Sequence, residues 1–126
     1  MYGKAKKPLD TTPYPRSPLS QDLTQGIAPG RYAYAVDTCE IIHVIPDGLH
    51  VHPLILGQGS SALYAGDLVI SEMGVVDEIT NLSGTFRFRN QRSLCCVVQH
   101  LHSLGFTVNR VIWYCPTGSR IRQLSC

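Results

Sequence analysis

Leu49-His50-Val51-His52-Pro53 opens the stretch whose reading decides the fold, and Ser83-Gly84-Thr85-Phe86-Arg87-Phe88-Arg89 closes it. Period-two alternation around the first motif predicts a strand with Leu49 and Val51 on one face and His50 and His52 on the other. Gly57, Gly59 and Gly66 mark bends or close backbone approach. Leu68-Val69-Ile70 and Val75-Val76 then read as a hairpin around Met73-Gly74, and Thr85–Arg89 as a further short strand. Upstream, Tyr32, Tyr34 and Val36 alternate with Ala33 and Ala35. Glu40 to Ile45 follows, closed by Pro46-Asp47-Gly48. Downstream, Leu94, Val97, Val98, Leu101 and Leu104 form the one clear helical stripe, with Asn90 as its N-cap and Gly105 as its C′ residue. Val108 to Tyr114 reads as a last strand, broken by Pro116-Thr117-Gly118.

The expected fold is therefore α+β: a small antiparallel β-meander packed by one C-terminal amphipathic helix, with a final strand. At 126 residues and 44% apolar, the chain suits one domain. Residues 31–115 are assigned to it. Residues 1–30, with five of the eight prolines, are assigned to an extended arm or linker, and residues 116–126 to a mobile tail. No apolar run reaches the roughly 18 residues of a membrane span, and the N-terminus lacks a signal-peptide segment. A cytoplasmic location, or delivery into a target-cell cytoplasm within a larger secreted protein, is expected, with no membrane partner. Five cysteines at irregular spacing argue for reduced, mostly buried thiols and against a disulfide scaffold or structural zinc.

Net charge is +2, but its distribution is uneven. Residues 31–84 carry one Arg against seven acids, whereas Thr85 to Cys126 carries six Arg and no acid. Arg is the better fork for phosphate, so a basic region facing a polyanion or phosphate-bearing ligand competes with simple internal charge balance.

Two imidazoles on one face can act as acid and base on a 2′-hydroxyl and a leaving 5′-oxygen, while Arg87 and Arg89 hold the phosphate. His50 and His52 are the catalytic candidates on that reading, with RNA or a nucleotide phosphate as substrate and no cofactor. Metal binding needs a third ligand, for which His43 or Asp47 is the nearest supply; the chain has no H-E-x-x-H or deaminase signature, and no metal is assigned. Ser60, Ser61 and Ser83 lie in glycine-flanked turns without a nucleophile elbow, and loop capping accounts for them. Ser83, His43 and Glu78 stand as secondary site candidates. An NAD-directed reading, by ADP-ribosyl transfer or glycohydrolysis, needs an essential carboxylate, Glu72 or Glu78. A third reading is a non-catalytic binding module.

The run His52, Gly57, Gly59, Leu63-Tyr64-Ala65-Gly66, Leu68-Val69-Ile70, Ile79, Ser83-Gly84 and Phe86-Arg87, followed by an amphipathic helix, resembles the C-terminal domain of plant IQ-motif calmodulin-binding proteins. Similar domains end bacterial polymorphic toxins. The resemblance spans roughly residues 31–114 and implies an effector or toxin role, with a cognate immunity protein as partner, acidic if it covers the Arg region. Those relatives carry His-His-Ser-Ser where this chain has His52-Pro53-Leu54, and Ser-Gly-His-Tyr where it has Ser83-Gly84-Thr85-Phe86. A site built on the second His would need His43, His50 or an Arg in its place here, or would lack turnover. The calmodulin-binding motif lies outside the shared domain, so calmodulin binding is not implied.

Overall fold

Nearly continuous apolar runs in the first half of the chain build the centre of one sheet. The computed structural model describes residues 2–115 and 120–126. Along the chain run β1 (Gln21–Asp22), β2 (Gly30–Val36), β3 (Ile42–Pro46), α1 (His52–Leu56), β4 (Tyr64–Glu72), β5 (Val75–Thr80), α2 (Gln91–Ser103), β6 (Thr107–Tyr114) and β7 (Ile121–Gln123). The seven strands form one mixed sheet in the order β1-β3-β2-β4-β5-β6-β7. The β4/β5 hairpin turns at Met73-Gly74 as expected, with Gly74 at φ 76°, a left-handed conformation in which a side chain is strained.

The α+β class holds, but the order is not that of a meander. β2 lies between β3 and β4, so the segment carrying α1 crosses from one side of β2 to the other. β6 pairs parallel to β5. A parallel neighbour requires a crossover connection, and α2 supplies it. Asn90 caps this helix, its Oδ1 accepting from the amides of Arg92 at 2.9 Å and Ser93 at 3.3 Å, and Gly105 follows at φ 92°. Leu94, Val97, Val98 and Leu101 are buried against the sheet, at roughly 2 kcal/mol for each fully buried side chain.

Three local expectations change. The Leu49–Pro53 strand is not formed: His50 sits at φ 57° and His52 begins α1, with Pro53 in the first turn. A five-residue alternation is weak against a proline, whose fixed φ and missing N–H suit a helix start. Thr85–Arg89 is not a strand either, although Phe86 and Phe88 are buried and Arg87 and Arg89 exposed. Its backbone is bonded irregularly instead: Thr85 O accepts from Leu9 N, and Phe88 O from the Asn81 side chain. Asn81 also bonds both backbone groups of Tyr114, fixing this loop to β6.

The arm and the tail are both built in. The arm carries β1, paired to β3. Leu23 and Ile27 reach the core. In the tail, β7 pairs with β6, and Cys126 forms a disulfide with Cys95 of α2, which corrects the expectation of wholly reduced thiols. The break expected at Pro116-Thr117-Gly118 lies outside the described residues. Among the described residues no helix is long and apolar enough to cross a membrane.

Candidate active site

The arm, the β3–α1 loop, the start of α1, β4 and the 82–85 loop enclose a cleft of about 1200 Å³. His52 sits at its base because Pro53 starts α1 there. Nε2 of His52 lies 2.8 Å from the Gly66 carbonyl, so that nitrogen carries the proton and Nδ1 keeps its lone pair. Gly66 has to be glycine: a Cβ would collide with the backbone of Thr80 and Asn81. The next residue, Asp67, places Oδ1 4.0 Å from the same Nε2.

Burial acts on both groups. It lowers the His52 imidazole below its ordinary value, against the Gly66 bond and the charge of Asp47. It raises the Asp67 carboxyl to about 6; Asp47 adds to the rise and Arg31 opposes it. Near neutral pH the cleft therefore holds a neutral imidazole beside a carboxylate that takes a proton easily. Such a pair in a recess is a candidate for acid–base chemistry.

His50 also lines the cleft, exposed on the β3–α1 loop. The two imidazoles thus share the cleft, though a turn and a helix start bring them there instead of one strand face. Asp10, from the arm, is held below the usual carboxylate range by bonds from Thr12, with a smaller contribution from His50. Thr85 is buried; its Oγ1 accepts the Asp10 amide at 3.0 Å. Ser83 is beside it, but its hydroxyl accepts the Phe86 amide, a loop cap as expected. The rim is apolar: Leu9, Tyr14, Leu49 and Leu82, among the large apolar side chains most exposed to solvent, all line this cleft.

The remaining candidates lie elsewhere. Arg87 and Arg89 do not line the cleft; the Arg87 carbonyl receives Lys6 Nζ, and the Arg89 carbonyl receives the Trp113 indole. Glu78 pairs with Arg110 at 3.3 Å on the sheet. His43 is buried in a separate cluster, Nε2 at 2.7 Å from Asp37 and Nδ1 at 3.1 Å from Asp22, with the Arg16 guanidinium 3.3 Å from Nδ1. Among the described residues no group of three or more His, Cys, Asp or Glu is placed to hold a metal.

Asp67 was not singled out by its sequence context. The available signal is a carboxylate directly after a glycine, inside a strand that is otherwise apolar from Tyr64 to Ile70.

Comparison with protein-family models, with curated proteins and with solved structures finds no match.

Proposed function

We propose that the chain is an effector-type enzyme domain that performs acid–base chemistry on a nucleotide-class substrate, with His52 and Asp67 as the reacting pair and His50 as an accessory group at the mouth. The reading rests on one observation, the 4.0 Å approach of His52 to Asp67 at the base of a cleft. In this assignment Asp67, ionised at neutral pH, takes one proton from a water molecule, and His52 Nδ1 accepts a hydrogen bond from that water's other O–H and orients it. Of the two substrate readings, RNA cleavage asks for guanidinium groups at the cleft, whereas NAD cleavage asks for a carboxylate. The carboxylate is present, as Asp67, in place of the Glu72 or Glu78 expected from sequence. The toxin role and a cognate inhibitor remain part of the proposal through the family resemblance.

The test is inducible expression of the chain in a bacterial host, with RNA and NAD extracted from the same cultures. Growth arrest with loss of one of the two pools, abolished in Asp67→Asn and His52→Ala, is the expected result. Unchanged growth and intact pools with the wild-type chain, or arrest that both variants retain, would reject catalysis by this pair.

A further inference from the structure

The walls of the cleft differ in chemistry from its base. Its rim carries four large apolar side chains, with Leu49 90% and Leu9 64% exposed. Tyr14 offers a flat ring among them. Among the described residues no Lys or Arg lines the cleft, whereas Asp10, Asp47 and Asp67 do. Two of these come from different elements that the fold holds fixed: Asp47 through its amide on the Arg31 carbonyl at 3.0 Å, and Asp67 within β4. The third belongs to the arm, which Thr85 grips on one side through Leu9 and Asp10, while α1 holds Ser17 on the other. A phosphate chain would meet carboxylates without a compensating cation. A flat ring bearing positive charge would meet an apolar seat and the opposite charge.

Building on the His52–Asp67 reading, we propose that the cleft recognises its substrate by a flat cationic ring, as in a pyridinium N-glycoside, seated against Tyr14, Leu9 and Leu49 with its sugar carbon toward Asp67. The accompanying reaction is hydrolysis. The C1′–N bond breaks with its electron pair passing to the ring nitrogen, which becomes neutral. Water supplies the new C1′–O bond, and its proton passes to the Asp67 carboxylate. The developing oxocarbenium charge is stabilised by the same carboxylates.

The experiment is calorimetric titration of the full chain with 1-methylnicotinamide, with neutral nicotinamide and with inorganic pyrophosphate. The cationic ring should bind at least tenfold more tightly than the neutral one, and Tyr14→Ala should weaken it at least fivefold. Arg87→Ala/Arg89→Ala should leave its binding unchanged, and circular dichroism of each variant establishes that it is folded. Equal binding of the two rings, no effect of Tyr14→Ala, or pyrophosphate binding that displaces the ring would overturn the proposal. Ring binding that survives alongside unaltered NAD and RNA pools would sink the catalytic reading and leave the recognition intact; pool loss restricted to RNA would do the reverse.

Discussion

Two histidines, the buried His43 and the largely buried His52, each approach a carboxylate, and the contrast between them separates a saturated group from an incompletely bonded one. His43 has a carboxylate at each ring nitrogen and a guanidinium beside them. Asp37, though burial pushes its carboxyl up, is held below the usual range by His43 and by the Ile41 and Cys39 amides. That cluster ties β1 and the arm to β3 and the β2–β3 turn, and its imidazole is saturated. His52 has one bond, to a backbone carbonyl, and its nearest carboxylate stands at 4.0 Å with another carboxylate as a neighbour. Saturation stabilises the fold; incomplete pairing in a recess leaves lone pairs for a ligand.

The largest expected effect sharpens this contrast at His52. His52→Ala should lower turnover of the substrate that expression identifies by about 10²- to 10⁴-fold, whereas His43→Ala should leave turnover by the folded protein within a few-fold. In the wild-type chain the rate should fall as pH drops through about 6, where Asp67 takes up its proton, and a pH–rate profile measures this. A profile flat from pH 5 to 8 would remove Asp67 as the base.

Next in size is a control remote from both histidines. The Cys95–Cys126 bridge spans 31 residues of sequence, and in the loop-closure account Cys126→Ser should cost about 3 to 4 kcal/mol in urea unfolding under non-reducing conditions. Ring binding at the cleft should persist in that variant below its unfolding transition.

His43→Ala should cost about 2 kcal/mol, because it strands Asp37 beside a buried space while the exposed Asp22 stays hydrated. Limited proteolysis should then cut the arm near Arg16 faster than in the wild type. An unchanged midpoint and digestion rate would show that the cluster does not fasten the arm.

The smallest effect has the opposite sign. Asp67 has a folded-state pKa raised above its unfolded value, so its contribution to stability is full below the unfolded carboxylate range and is lost as pH rises through about 6. At pH 7 the ionised group is a cost to the fold, and Asp67→Asn should stabilise by about 1 to 2 kcal/mol after allowance for its partial solvent contact. Thermal unfolding of wild type and variant at pH 4.5 and pH 7 checks this: the gap should be present at pH 7 and narrow at the lower pH, which lies between the unfolded and folded values. A variant less stable at both pH values would contradict the burial argument.

β2 and α2 were legible because their patterns are long. Seven residues of Gly30–Val36 and the stripe from Leu94 to Leu104 carry enough alternation or helical period to outweigh single-residue exceptions, and Asn90 and Gly105 have local conformational reasons to be where they are. The His50-Val51-His52 stretch was too short for its period to decide between strand and turn, and Pro53 tipped it toward a helix start. The shared strand face is lost, and the two histidines line one cleft from a turn and a helix start.

By itself the sequence determined the α+β class, the strand and helix stretches just named, the caps of α2 and the presence of titratable histidines ahead of the Leu68–Ile70 strand. Only the tertiary structure decided the parallel placement of β6, the strand in the tail and the Cys95–Cys126 bridge, because each depends on partners far apart in the chain. It also decided that both ring nitrogens of His43 are engaged while His52 makes a single hydrogen bond, through Nε2. Asp67 becomes a candidate base through its burial beside His52 and Asp47, and Arg87 and Arg89 lose their candidacy at this cleft through where their loop is bonded. Protonation and recognition depend on desolvation and on the charges across a gap, and both are properties of the packed chain.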